Sequence, residues 1–412
     1  MKNISGLSYM PPVDKFQIES IKTITLKLLD YCNKNNWAGY DPYDALNSRI
    51  FEFLPFLNFR IPRLVLTQLL KRCPFNLRPL LQIPKTHNPK ALGLFLMSFI
   101  KLSKLGLLVQ EDLITKMVDE LIAHRSQDSS YWCWGYSFPW QTRTILVPKG
   151  APNLVCTVFV ANALLDTFEF NNDKRCLEMA ISAGDYILAE LYRHEDDGKV
   201  YFSYPFPTMR IPVHNANLLA AALLTRLSRY TKEKNFLGPA IEAARYSASM
   251  QHNDGSWDYG ESPKYRWIDN FHTGYNLCAL KTLSKCIQST EFDKSTRQGF
   301  DFFCNHFFRD DNAPKYFHDK VYPIDIHSVA QSIITLIDFK QYNENNLRLA
   351  YFVCEWAIEQ MWNEKSGYFY FVDLPFWKNK ISYMRWSQAW MLLALTYLLE
   401  DSYQAYISEQ VI

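Results

Sequence analysis

Strongly apolar helical segments recur along this chain at a nearly constant spacing, and that period limits the possible folds more than any other feature. Seven segments share one plan: an aromatic, turn-rich loop, a small or polar residue, then an apolar helix. They begin at Gly39 (GYDPYDALNSRIFEFL), Asn88 (NPKALGLFLMSFIKL), Asn153 (NLVCTVFVANALLDTF), His214 (HNANLLAAALLTRL), His272 (HTGYNLCALKTLSK), His327 (HSVAQSIITLIDF) and Ser387 (SQAWMLLALTYLLE). Counting from Asp44, Asn88, Asn153, His214, His272, His327 and Ser387, the gaps are 44, 65, 61, 58, 55 and 60 residues. Such a period holds two helices and their connections, so each repeat reads as one helical hairpin.

Between these segments lie stretches with the i, i+3, i+4, i+7 pattern: Ile18–Leu29, Leu113–Ile122, Cys176–Leu191, Ile241–Met250 and Leu347–Met361. Their polar faces mark them as outer helices, whereas the repeat helices are apolar nearly all round and require burial on both sides. Alternating inner and outer helices predict an all-α ring, an α/α toroid of six or seven hairpins around a central cavity. Only short strands are expected, at Val200–Phe206 and Gly367–Val372, where side chains alternate. No linker rich in Pro, Gly or Ser divides the chain, so residues 1–412 read as a single domain.

The 412 residues are 48% hydrophobic, ample for a large core, and 44 Lys+Arg against 42 Asp+Glu leave a formal charge of +2. That balance gives no global field for a nucleic-acid backbone; any polyanion site must be local. The longest apolar run, Leu92 to Ile100, is about half of the ~20 residues a membrane span requires. The first sixteen residues lack the apolar core of a secretory leader, and nine scattered cysteines without a C-x-x-C pair read as reduced thiols, so a cytoplasmic protein is expected. Nucleotide-loop, G-x-S-x-G and H-E-x-x-H motifs are absent, and no cofactor or metal is expected.

Chemistry concentrates in the loops before the repeat helices. Three successive helices open with His214, His272 and His327, and in a ring such positions face one mouth; imidazoles there suit acid–base work near neutral pH. Asp269 and Asp325 stand three and two residues before His272 and His327, where each can orient an imidazole. These five are the expected catalytic groups. Aromatic side chains at Trp134, Tyr136, Tyr204, Trp257, Tyr259, Trp267 and Trp386 offer flat faces for sugar C–H surfaces and equally for isoprenoid chains. Arg143, Arg210, Arg266 and Arg385 supply positive charge for an acidic ligand, and Asp44 and Glu261 are carboxylates among the candidate substrate contacts. Helix capping, core packing and solvated surface are the competing fates of every one of these residues.

Four resemblances follow from these residues. Gln251-x-x-x-Gly255-x-Trp257 resembles the Gln–Trp motif of triterpene cyclases, which implies that Gln251 and Trp257 fasten one helix to the next; the cyclase acid motif D-x-D-D is absent. Asp269-Asn-Phe-His272-Thr-Gly-Tyr275 is similar to the stretch holding the zinc-ligating histidine of protein prenyltransferase β subunits, but the companion Asp-x-Cys is missing, since His214 sits in IPVHNANLL. The pattern of aromatic loops and inner helices resembles six-hairpin glycosidases, uronyl hydrolases and sugar epimerases, whose cavities bind sugars. DPYDAL at Asp41–Leu46 and WIDNFHTGYN also resemble uncharacterised bacterial proteins of surface-polysaccharide gene clusters. Together they imply a carbohydrate-active enzyme of surface-polysaccharide metabolism that takes an acidic or polymer-derived saccharide as its partner. Hydrolysis, epimerisation and elimination stay open. So do an isoprenoid or lipid-linked substrate and a non-catalytic sugar-binding scaffold.

Overall fold

The structure, a computed structural model, describes residues 15–54, 58–108, 112–142, 145–231 and 235–410; residues 1–14 of the expected leaderless start, and Arg143, lie outside them. The described helices are α1 (Lys15–Lys34), α2 (Ile50–Phe53), α3 (Arg60–Arg72), α4 (Pro89–Lys104), α5 (Leu113–Ala123), α6 (Leu154–Asn171) and α7 (Lys174–Tyr186). They continue with α8 (His214–Leu227), α9 (Leu237–Ser249), α10 (Asn270–Ile287), α11 (Asp293–His306), α12 (Ile326–Asp338), α13 (Glu344–Met361) and α14 (Ala389–Gln410). Six of these, α4, α6, α8, α10, α12 and α14, pack successively on one another, and α14 returns to α4. The ring is therefore closed. Around it, α5, α7, α9, α11 and α13 pack on their preceding inner helices, and α1 packs on α14, making six hairpins.

The seventh repeat is a correction. The segment from Gly39 forms a single tight turn at Asp44–Asn47 and the four-residue α2. Its acids hold it in place: Asp44 is ion-paired with buried Arg78 at 2.7 Å, and Asp41 grips Arg385. Ala45, Leu70 and Ile83 form a small separate apolar cluster there, so this region is a mouth loop joined to α3.

Side-chain caps start four of the inner helices. Asn88, Asn153, Asp269 and Asp325 accept backbone N–H bonds from Lys90, Cys156, His272 and His327, at 3.1, 2.9, 3.0 and 2.8 Å. Each satisfies a helix-end donor that would otherwise be orphaned. α6 is long and apolar enough to cross a bilayer by length and composition, which the apolar-run criterion did not reveal; here it is an inner helix against α4, α7 and α8. All nine cysteines are free thiols.

The strands are short: β1 (Trp140–Gln141) with β2 (Leu146–Val147), β3 (Tyr192–His194) with β4 (Val200–Phe202), and β6 (Trp362–Asn363) with β7 (Tyr368–Phe369), all antiparallel. A three-stranded set joins β5 (Ile324–Asp325), β8 (Val372–Asp373) and β9 (Lys378–Asn379). The alternating stretches at 200–206 and 367–372 each contribute strands.

Gln251 and Trp257 fasten α9 to α11. The Gln251 amide donates to the carbonyls of Gly255 and Ser295 at 2.8 and 2.9 Å and accepts from the Ser295 hydroxyl at 2.7 Å. The Trp257 indole donates to the Ser247 carbonyl at 2.9 Å, and its ring lies so close to Gly299 that a Cβ there would fall 2.6 Å away. Gly255, at φ +91°, makes the turn between them, where a Cβ would meet the Gln298 carbonyl at 2.2 Å.

Candidate active site

A cavity of about 310 Å³ opens at the N-terminal ends of the inner helices, the small end of the range for ligand sites. Its wall follows one rule. The second residue of each inner-helix start points into it: Lys90 of α4, Val155 of α6, Asn215 of α8, Phe271 of α10, His327 of α12 and Arg385 in the π-turn Met384–Gln388 that leads into α14. Aromatic side chains from the mouth loops complete it: Tyr43, Tyr136, Phe138, Trp140, Tyr204, Tyr259, Trp267, Tyr316, Phe317 and Trp386. A second cavity, about 370 Å³, lies toward the other ends of the inner helices, with Tyr275 bordering both.

Helix register decides which histidines reach this cavity. Successive residues turn by about 100° around a helix, so a shift of one or two positions re-aims a side chain. His272 is the third residue of α10 and His327 the second of α12, and both line the cavity. His214 is the first residue of α8, after Val213, which has no capping side chain. Its ring turns outward to the Ser247 hydroxyl of α9 at 3.2 Å, and burial pushes its pKa down to about 4. The expected convergence of three histidines is therefore corrected to two, with Asn215 taking the place on α8.

The two cavity histidines have different partners. His272 Nδ1 lies 2.7 Å from Asp269 Oδ2, which also accepts the Trp267 indole N–H at 2.9 Å. A carboxylate facing Nδ1 assigns the proton there and leaves Nε2 as the acceptor. His327 Nε2 shares a hydrogen bond of 2.7 Å with the Tyr275 hydroxyl, while its Nδ1 is buried without a partner. The ring is stacked on Phe271 and Trp390, with centroids 4.4 and 4.5 Å away. Burial, reinforced by Lys90 and Arg385, holds His327 well below the usual imidazole range, so it is neutral.

Neither aspartate lines the main cavity as a free acid, a second correction. Asp269 is the α10 cap and the support of His272. Asp325 caps α12 and accepts the Trp386 indole N–H at 2.9 Å; burial raises its pKa to about 6. Cations are also sparse. Arg385 lines the wall but is bound through two nitrogens to Asp41, at 2.6 and 2.8 Å. Lys90, absent from the sequence reading, is buried over Phe159, with its Nζ 4.1 Å from the ring centroid; burial, then Arg385, lowers its pKa well below the usual range.

Of the expected ligand contacts, Tyr136, Tyr204, Tyr259, Trp267, Arg385 and Trp386 line the cavity, and Tyr259 stacks on Trp267 with centroids 4.4 Å apart. Others stand elsewhere. Trp134 is fully buried and donates to the Leu121 carbonyl, and Trp257 is the α9–α11 fastener. Glu261 accepts from Tyr246, Arg210 pairs with Glu195 at the surface, Arg266 is exposed, and Asp44 serves Arg78. Long polar side chains in these loops find local partners or water before they find the cavity. The signal for the missed wall residues is the cap: counting two positions after Asn88, Asn153 and Asp269 gives Lys90, Val155 and Phe271.

One group of metal-type side chains occurs among the described residues, His87, Glu120 and His124, away from this cavity. His87 Nε2 and His124 Nδ1 already hydrogen-bond the carbonyls of Asn36 and Glu120.

No protein-family model matches the sequence, and no curated protein matches it. Solved structures do. An unsaturated glucuronyl hydrolase from Streptococcus agalactiae matches with a TM-score of 0.64 at 11% identity, over 97% of this chain and 96% of that one. A cellobiose 2-epimerase from Bacillus thermoamylovorans gives 0.60 at 9% identity over 78% and 90%, and a GH76 α-mannanase from Bacteroides thetaiotaomicron gives 0.57 at 12% over 77% and 87%. In fold, the chain is similar to the α/α-toroid proteins of the six-hairpin glycosidase and sugar-epimerase type.

Proposed function

We propose that the cavity binds a sugar and that His272 and His327 move a proton on it, interconverting epimers or isomers. The observation that carries this reading is two imidazoles from adjacent inner helices on one small aromatic-walled cavity, each with one nitrogen hydrogen-bonded and the other without a protein partner. Hydrolysis by a carboxyl pair needs two carboxyls flanking the bond, about 5–5.5 or 6.5–9.5 Å apart, and here the nearby aspartates are used as caps. The C–H next to the carbonyl of an open-chain sugar is acidic enough for an imidazole to remove its proton. The electron pair moves to the carbonyl oxygen as an enediolate. Return of a proton to the same carbon from the other face gives the epimer, and to the neighbouring carbon the isomer; no redox partner is required.

Asp269 holds His272 in one tautomer, and Tyr275 can give a proton to His327 or take one from it. Lys90 is a donor for a sugar oxygen, and the Tyr259–Trp267 stack offers a flat face for ring C–H groups. Because Arg385 is engaged by Asp41, and Arg210 and Arg266 stand away, a neutral sugar fits better than an acidic one. A place in surface-polysaccharide metabolism belongs to the same proposal and rests on sequence likeness alone. The test is a panel of reducing mono- and disaccharides incubated with wild type, His272→Ala and His327→Ala, with products separated by chromatography. A new epimer or isomer is expected with wild type, and about 10²- to 10⁴-fold slower formation with either variant. Release of a shorter saccharide that survives both substitutions would contradict the proposal.

A further inference from the structure

A rim of exposed apolar side chains beside the cavity mouth has no part in proton transfer. α3 is apolar on two faces. Leu66 and Leu70 pack toward Ala45 and Ile83, whereas Ile61, Val65 and Leu69, spaced i, i+4 and i+8, are 66%, 51% and 62% exposed. That spacing makes one continuous stripe, whereas single scattered apolar residues are the ordinary state of a soluble surface. Phe75 and Leu80 continue it in the loop after α3, and Phe376, at the tip between β8 and β9, is 96% exposed. The Asn379 amide donates to the Cys73 carbonyl at 3.1 Å, tying this hairpin to the end of α3.

Charge at this rim is one-sided. α3 carries Arg60, Arg63, Lys71 and Arg72 and no Asp or Glu, in a chain whose total charge is only +2. Arg60 and Arg72, at the two ends of α3, are exposed. Lys71 reaches the mouth itself: its Nζ donates to the Tyr43 hydroxyl at 2.6 Å, and Tyr43 lines the cavity.

We propose that α3 and the β8–β9 tip dock this protein on the headgroup layer of a bilayer containing anionic lipid, with the cavity mouth on the docked side. The apolar stripe enters the acyl boundary while Arg60 and Arg72 meet lipid phosphates, the arrangement of an interfacial amphipathic helix. A helix without acids offers a partner a single sign of charge, and an anionic bilayer presents the opposite sign uniformly. Docking is independent of the reaction in the cavity.

Flotation of the full chain with phosphatidylcholine vesicles, with or without about one third phosphatidylglycerol, tests this. Binding to the anionic vesicles should exceed binding to the neutral ones by at least about tenfold and fade as salt shortens the Debye length. Ile61→Ser with Val65→Ser and Leu69→Ser should remove most of the binding, and Arg60→Gln with Arg72→Gln should remove the preference for anionic lipid. Both variants should melt as wild type does, since these side chains are in solvent. Absence of binding to anionic vesicles, or equal binding by the triple variant, would overturn the proposal. So would a wild-type dimer in solution that the triple variant abolishes, which would give the face to a second copy of the chain.

Discussion

The mouths of α8 and α10 look alike in sequence, each an aromatic loop followed by a histidine and an apolar helix, yet only α10 presents its histidine to the cavity. The difference is one capping side chain. Asp269 accepts the His272 backbone N–H and fixes the helix start three residues before the ring, and its second oxygen holds Nδ1. Before His214 stand Pro212 and Val213, which cannot cap, so the helix begins at the histidine and its ring faces α9. A cap therefore does two jobs: it satisfies a helix end, and it sets the rotation of the residues that follow.

The strongest way to break this comparison is to remove each ring in turn. His272→Ala should leave the fold intact and slow turnover of the cognate sugar by about 10²- to 10⁴-fold, whereas His214→Ala should retain kcat within about threefold, because a general acid–base group acts only within reach of the substrate. Steady-state kinetics on the two variants decide it. Equal losses would restore the equivalence of the mouths.

Next in size is Trp257, which lies between the two mouths as a fastener. Its replacement by Ala should destabilise the protein by about 3–5 kcal/mol, read in denaturant unfolding, through the cavity left against Gly299 and the lost bond to Ser247. Unchanged stability with lost sugar binding would move Trp257 into the site.

The buried titrating groups sharpen the comparison with opposite signs. His214 has a folded pKa depressed to about 4, so its stabilising contribution is present above its unfolded pKa near 6.5 and is lost as pH falls toward 4. Asp325 has a folded pKa raised to about 6, so its contribution is present below about 3.8 and is lost as pH rises through 6. Each amounts to at most roughly 3 kcal/mol. Compared with wild type, His214→Gln should gain relative stability from pH 7 to pH 4, and Asp325→Asn should gain it from pH 4 to pH 7. Parallel denaturant series at several pH values check both signs. The smallest effect belongs to Arg210→Gln: an exposed pair with Glu195 is worth about 0–1 kcal/mol, and sugar affinity measured by calorimetry should not change.

The ring was legible because a helix buried on both sides must be apolar all round, and that signal repeated at Asn88, Asn153, His214, His272, His327 and Ser387. The first repeat misled because DPYDAL has the composition of a helix start, while Asp41 and Asp44 are occupied with Arg385 and Arg78, residues remote in sequence. Of the site, the loops were legible and the register was not. Lys90 escaped notice because a lysine after Asn-Pro reads as surface; only the packing of α6 and α14 on α4, which brings Phe159 and Trp390 over its amine, makes it part of the wall. Arg210 and Arg266 were legible as mouth cations, but nothing local in sequence distinguishes a cation facing inward from one facing water.

Deuterium exchange tests the two-histidine cavity most directly. With the cognate sugar in heavy water, the wild-type protein should place deuterium on the carbon next to the carbonyl, detected by proton NMR, and His272→Ala and His327→Ala should each lose this exchange while His214→Ala keeps it. Turnover without deuterium at that carbon, or exchange that survives loss of both cavity histidines, would contradict proton transfer by this pair.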